Sequence, residues 1–317
     1  MKRHMLNKAA CSASFALLFA VAWAGTVMAE SDLDDTAKAL AQSKLIIDTH
    51  VDVPYRLKED WADVTAGTED GDFDFVRARA GGLDVPFMSI FTPPSSEEQG
   101  TAFGMANGLI DSVEALVGRA PDECMIVRSA ADAEQAINKG MIGLAMGMEN
   151  GSPIDGRLEN VAFFKQRGVS YITLAHGKAN HLSDSSYDEE RKWNGLSPFG
   201  KEVVAEMNRL GVMVDVSHLS DDAFWQVLEL SKAPVIASHS SARHFTPGWE
   251  RNMSDEMIKA LAASGGVIQI NFGSSFLTDE ARLWYDKWDE ARDAWVEEHS
   301  RNGEEPDTSI FRETFRA

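Results

Sequence analysis

Short, unbroken apolar runs alternate along this chain with longer stretches whose apolar residues recur every three to four positions. The runs lie at residues 45–48, 85–91, 141–148, 170–174, 212–216, 234–237 and 266–271. Runs of this length without polar alternation predict strands buried on both faces, the pattern of a parallel sheet. The stretches between them predict amphipathic helices. Residues 103–117 form one such stretch. Residues 201–210 carry Val203, Val204, Met207 and Leu210 at helical spacing, and residues 223–230 and 256–263 repeat the theme. Residues 31–43 predict a short polar helix. Strands alternating with helices predict βαβ units. At 317 residues the chain suits a single α/β barrel.

The last forty residues break this rhythm. Residues 278–301 are charged and rich in helix formers, with Trp284, Trp288 and Trp295 on one helical face. The expectation is a helix that packs this stripe against the body, followed by a polar loop at 302–307. There is no short internal repeat and no low-complexity tract.

The N-terminus reads as a targeting segment. Lys2, Arg3 and Lys8 precede an apolar run at residues 15–23, and Val27-Met28-Ala29 offers small residues at a cleavage site. The pattern predicts a signal peptide over residues 1–29, cleaved after Ala29, and export to the periplasm or medium with no transmembrane span in the mature chain. Cys124 is then the sole cysteine of the mature chain, which excludes an intramolecular disulfide. The formal charge of −20 becomes −23 when Lys2, Arg3 and Lys8 are removed. No basic run of five or more residues occurs, so nucleic acid is excluded as a partner.

Chemistry gathers where the strand-like runs end. His50 and Asp52 follow the first run, Glu149 the 141–148 run, His176 the 170–174 run, His218 the 212–216 run and His239 the 234–237 run. In a parallel barrel the strand ends converge on one rim, so residues distant in sequence meet at one point. Histidine and carboxylate are the usual zinc ligands apart from cysteine. His50 and Asp52 flank one residue and face the same way on extended backbone; the alternative for Asp52 is a cap on the next turn. Glu149 ends an apolar strand, so its charge must be paired or metal-bound, and its two oxygens suit a bridge between cations. The alternative for Glu149 is a salt bridge with an arginine. His4, His181 and His299 lack this placement, and His244 lines the cleft without ligating. The pairs Ser217-His218 and Ser238-His239 invite a serine-hydrolase reading, but no Gly-x-Ser-x-Gly elbow is present.

Five segments carry a family resemblance: DTHVDVPYRL, GLAMGMENG, GVSYITLAHGKANHLSDSS, the long stretch from Gly195 to Arg243, and RNMSDEMIKALAASGGVIQINF. In order and spacing they resemble the renal-type (membrane) dipeptidases over residues 45–272. The resemblance implies a (β/α)8 barrel of TIM type, with residues 30–317 as one metallo-dipeptidase domain and 274–317 as a charged helical insertion or tail. It implies two zinc ions: the first held by His50 and Asp52, the second by His218 and His239, with Glu149 bridging both. His176 is similar to the family's substrate-contacting histidine, which stabilises the tetrahedral intermediate. Arg251 is similar to the arginine that takes the substrate's free carboxylate; the alternative is a surface ion pair with Glu250 or Asp255. The implied reaction is hydrolysis of a dipeptide by a hydroxide bridging two zinc ions roughly 3.5–4 Å apart. The family's eighth strand is not found among the apolar runs, so the barrel is expected to be incomplete. Alternatives are a related amidohydrolase acting on another amide or lactam, and an inactive metal- or peptide-binding homologue. A homodimer is left open.

Overall fold

The structure, a computed structural model, describes residues 34–300 and Phe311. The signal-peptide reading and the loop at 302–307 lie outside these residues. The described residues divide into two compact units, 34–47 with 63–85 and 48–62 with 86–300.

Eight strands are present: β1 (Ile47–Val51), β2 (Val85–Phe91), β3 (Cys124–Ile126), β4 (Ile142–Glu149), β5 (Val169–Thr173), β6 (Met213–Asp215), β7 (Ile236–Ser240) and β8 (Val267–Ile270). Seven form a continuous path, β1-β2-β4-β5-β6-β7-β8, and β3 pairs with the first half of β4. The pairings from β2 to β8 are parallel. β4 is buried along its whole length, which explains its unbroken apolar sequence.

The sheet curls into a nearly closed barrel. Thr49 on β1 donates its hydroxyl to the Ser238 carbonyl on β7, and Tyr171 on β5 donates to the Thr49 carbonyl at 2.8 Å. Among the described residues β1 and β8 end the strand path. Their apolar side chains Ile47, Val267 and Ile270 are exposed. The seven-strand path agrees with the apolar runs. β3 is an addition, missed because its three residues sit between Glu123 and Arg128 and are too few to show a period.

Serine caps set the helices behind the barrel's second half. Ser197, Ser220 and Ser254 each accept from the backbone N–H three residues on, opening the helices Pro198–Leu210, Asp221–Leu230 and Asp255–Ala263. A serine at this position satisfies a backbone donor that the helix itself cannot. Acidic residues in the first turn of the last two favour the same end of the helix dipole. The helix Ala102–Arg119 buries Ala106, Leu109, Ile110, Val113 and Leu116, an apolar stripe at the expected period.

In the smaller unit, Asp74 caps the helix Phe75–Gly81 by accepting from Arg77 N. Gln42 Nε2 donates to the Arg79 carbonyl at 2.9 Å and ties the helix at 34–43 to it. Burial pushes the Asp74 carboxyl up, but donors from Arg77 and Thr68 outweigh it and bring it down to about 2.

The tail departs from expectation. The helix Asp279–His299 has no buried residue. Trp288 and Trp295 pack against Phe311, while Trp284 stays half exposed. Acidic and basic residues around the helix leave no apolar stripe wide enough to sink into the body.

One close approach fixes the barrel interior. A Cβ on Gly147 of β4 would stand 1.9 Å from the Tyr171 ring, so only glycine lets that ring lie across β4. Gly147→Ala is expected to destabilise the fold by about 1–3 kcal/mol through overpacking. Urea unfolding checks this; an unchanged midpoint contradicts it.

Candidate metal centre

Three of the strand ends supply side chains directly. His50 lies within β1, Glu149 is the last residue of β4, and His239 lies within β7. His176 and His218 follow β5 and β6 after two-residue gaps. His50 points from extended backbone as expected, and His239 does so too, a placement its short apolar run did not reveal. His218 takes a left-handed backbone with φ of 67°. That conformation is strained for a residue with a Cβ. It turns the chain between β6 and the Ser220 cap.

Glu149 is the hub. Its Oε2 lies 3.3 Å from His50 Nε2, while its Oε1 lies 3.1 Å from His218 Nε2, 3.2 Å from His239 Nε2 and 3.4 Å from His176 Nε2. Ser89 donates its hydroxyl to Oε2 at 3.2 Å. Each oxygen therefore faces its own set of imidazoles. No arginine pairs with Glu149 among the described residues, so the salt-bridge alternative does not hold. Asp52 Oδ1 lies 3.3 Å from His50 Nε2. Asp52 stands at the N-cap of the helix Val53–Glu59 but makes no side-chain cap bond, so the cap alternative does not hold either.

Two groups of side chains bring one ligand atom each within 4.8 Å: His50, Glu149 and His239, and Glu149, His176 and His218. The division implied by the resemblance pairs His218 with His239 instead. Their Nε2 atoms are 2.8 Å apart, which suits one shared cation as well as the distance grouping does. The rings of His50 and His239 stack at 3.8 Å, which brings His239 close to both groups.

Electrostatics separate the imidazoles. Burial lowers His218 well below the ordinary imidazole range, and the Arg251 charge adds to this. Burial and the His50 charge bring His239 down to about 4. Burial also lowers His176. His50 goes the other way: burial opposes its charge, but Glu149 and Asp52 raise it well above the usual value. Glu149, resisted by burial, is held well below the carboxylate range by His50, His218 and His239. Neutral imidazoles around an ionised carboxylate are the state in which these groups bind a divalent cation.

The donor set fits such an ion. Arg251 Nη2 lies 3.0 Å from His218 Nε2, which makes that nitrogen an acceptor. Nε2 of His218, Nε2 of His239 and Oε1 of Glu149 then converge within 3.2 Å. Acceptors at this spacing repel one another unless a proton or a cation lies between them, and Arg251 supplies only part of that charge, at His218 Nε2.

Arg251 is buried at 2% exposure, so the surface ion pair is excluded. Glu250 instead pairs with Arg191. Arg251 donates Nη1 to Ser240 Oγ at 2.7 Å and Nη2 to the His239 carbonyl at 2.6 Å, and it stacks over the Phe276 ring. Its Nε has no hydrogen-bond partner among the described residues. His244 is exposed beside Phe245, away from these contacts. His181 pairs with Glu97 at 3.0 Å, outside the cluster.

Sequence reasoning missed the residues behind the cluster. Tyr171 Oη lies 3.3 Å from His50 Nδ1. Asp215 accepts from Ser238 Oγ, which lies 2.8 Å from His239 Nδ1. The order is carboxylate, hydroxyl, imidazole. A serine nucleophile needs the imidazole in the middle, so the geometry also argues against that reading. A lone acid inside an apolar run, as in VMVDVSH, was the available signal.

Among the described residues no helix is long and apolar enough to cross a membrane. The sequence model of the membrane dipeptidase family, Peptidase family M19, matches residues 34–306. An uncharacterized dipeptidase of Schizosaccharomyces pombe is 33% identical over 261 residues, 76% of this chain and 62% of that protein. The chain therefore spans less than two thirds of this curated relative. The crystal structure of the probable dipeptidase PvdM from Pseudomonas aeruginosa aligns with a TM-score of 0.73 and 28% identity, covering 82% of this chain and 68% of the other. A metallo peptidase from Rhodobacter sphaeroides, liganded with a phosphinate mimic of the dipeptide L-Ala-D-Ala, aligns at 0.68 with 25% identity, over 75% of this chain and 76% of its own. By the extent of the family match and by this likeness in sequence and fold, the chain belongs to the membrane dipeptidase family.

Proposed function

We propose that this protein is an exported metallodipeptidase that holds two zinc ions and hydrolyses the peptide bond of dipeptides. The observation that carries this reading is the split environment of Glu149, with His50 on one oxygen and three histidines on the other. His50, Asp52 and Glu149 Oε2 would hold one ion, and Glu149 Oε1, His218 and His239 the other. Bound at such a centre, a pair of zinc ions supplies an activated water and polarises the scissile carbonyl.

The remaining residues would orient the substrate. His176 is more open than its neighbours, with its side chain 25% exposed against 6% for His218. That placement suits an imidazole that meets the substrate and donates to the oxygen on which negative charge develops. Such a role needs a proton on the ring nitrogen facing the substrate, and a neutral imidazole has one to offer. Arg251 would take the free carboxylate, since a guanidinium holds a carboxylate through paired hydrogen bonds. A grip one residue beyond the scissile bond selects short substrates. The phosphinate dipeptide mimic bound by the Rhodobacter sphaeroides enzyme supports the same substrate class. A likeness to an amidohydrolase from Pseudomonas aeruginosa, at a TM-score of 0.60, favours amides other than dipeptides as the second reading.

Chelation is expected to abolish dipeptide hydrolysis, and added zinc to restore it; activity that survives chelation contradicts the metal reading. His218→Ala or His239→Ala is expected to lower kcat/KM by at least about a hundredfold, the upper range for losing even an outer-shell partner. Near-normal turnover in either variant removes the ligand assignment. Arg251→Ala is expected to raise KM by about thirtyfold or more, roughly 2 kcal/mol of lost charge pairing, with a smaller change in zinc content. An unchanged KM contradicts the carboxylate grip. A panel of dipeptides, lactams and N-acyl amino acids separates the two substrate classes.

Metal uptake carries a pH signature. His50 is raised, so it holds a proton in the metal-free protein and must release it to ligate. Zinc affinity is therefore expected to weaken as pH falls, because protons compete with the metal for His50. Chelator-competition titrations check this; a pH-independent affinity contradicts it.

A further inference from the structure

Behind the cluster lies a buried acid that the proposed reaction does not use. Asp215, at the end of β6, is wholly buried. Its Oδ1 receives the backbone N–H groups of Ser217 at 3.1 Å and Ser238 at 2.8 Å. Its Oδ2 receives the hydroxyls of Thr173 at 2.5 Å and Ser238 at 2.6 Å. These four donors are all neutral. They exhaust the ordinary capacity of a carboxylate and fix its plane.

We propose that Asp215 is a positioning residue that sets the tautomer and ring orientation of His239 through the hydroxyl of Ser238. This inference rests on the metal-centre reading above. A serine hydroxyl has one proton, and Ser238 directs it to Asp215 Oδ2. Toward His239 Nδ1, 2.8 Å away, Ser238 Oγ can then only accept. Nδ1 therefore carries the ring proton, and Nε2 is left bare. That bare nitrogen is the one facing His218 Nε2 at 2.8 Å and Glu149 Oε1 at 3.2 Å. Ser217 Oγ accepts from the His239 backbone N–H at 3.1 Å and holds the same residue from its main chain.

The neighbouring rings sharpen the assignment. His218 Nδ1 and His176 Nδ1 are buried without a hydrogen-bond partner among the described residues. His50 Nδ1 faces Tyr171 Oη at 3.3 Å, and that hydroxyl donates to the Thr49 carbonyl. Among the described residues, of these four imidazoles only His239 is backed by a carboxylate. An acid behind a ligating histidine fixes the ring and raises its basicity. Here a serine is inserted between acid and ring, so the effect travels through one hydroxyl. Asp215 and Ser238 belong to the two motifs, Asp215-Val216-Ser217-His218 and Ser238-His239-Ser240-Ser241, that otherwise suggest a nucleophilic serine.

The test reads the tautomer directly. In metal-free protein with ¹⁵N-labelled histidine, where no ion on Nε2 dictates the tautomer, His239 is expected to carry its proton on Nδ1, the signal being assigned by its loss in His239→Gln. A proton on Nε2 of His239 overturns the proposal, and this measurement needs no variant of the relay. Asp215→Asn presents an amide N–H in place of an accepting oxygen and turns the Ser238 proton toward the ring. Zinc affinity by chelator competition is expected to fall by about 10–100-fold in Asp215→Asn and in Ser238→Ala, and to recover in Ser238→Thr. Thr173→Val removes another donor from the same oxygen but leaves the relay, and is expected to change affinity less than about threefold, the scale of one neutral hydrogen bond. If Asp215→Asn does not fold, Ser238→Ala carries the comparison. Wild-type affinity in both relay variants overturns the relay while leaving the metal centre standing. A wild-type protein that takes up no zinc overturns both.

Discussion

A single buried carboxylate governs this molecule. Glu149 ends a strand that is buried along its whole length, where an isolated charge is prohibitively costly. The chain surrounds it with four imidazoles rather than with an arginine or lysine. Imidazoles do not carry permanent charge, so the compensation is adjustable. Glu149 and Asp52 favour a proton on His50 in the metal-free chain, and under the proposed reading cations supply the compensation in the working enzyme. A fixed cation in the same place would neutralise Glu149 and leave nothing for a metal to do.

Much of the barrel can be understood as a holder for that arrangement. Parallel strands deliver His50, Glu149 and His239 from their own ends. The loops past β5 and β6 add His176 and His218. Gly147 makes room for the Tyr171 ring, which reaches across the interior to the backbone of β1 beside His50. His218 takes a strained backbone two residues before Ser220, which caps the next helix. Each of these features is costly or unusual in isolation, and together they aim nitrogen lone pairs at one carboxylate. The proposed Asp215 relay extends the same logic one layer outward.

The sequence made the long-range convergence legible because chemistry followed apolar runs at equivalent places. His50, Asp52, Glu149, His176, His218 and His239 follow such runs, and a parallel barrel brings strand ends to one rim. β3 was not legible, because three residues between charges carry no period. The tail helix was legible as a helix, but its three tryptophans gave no measure of how deeply it sinks. Arg251 was recognisable only through the family resemblance. Charge pattern alone set it beside Glu250 and Asp255, whereas the fold buries it against Ser240 and the His239 carbonyl. Asp215 and Ser238 were visible as letters, but their roles depend on which oxygen faces which nitrogen, and that is fixed by tertiary packing.

The two-cation reading of Glu149 is tested most directly by anomalous diffraction at the zinc edge on crystals of the zinc-loaded protein. Two peaks are expected, one between His50 and Glu149 Oε2 and one between Glu149 Oε1 and the His218–His239 pair. A single peak, or density remote from Glu149, would contradict a carboxylate that joins two ions.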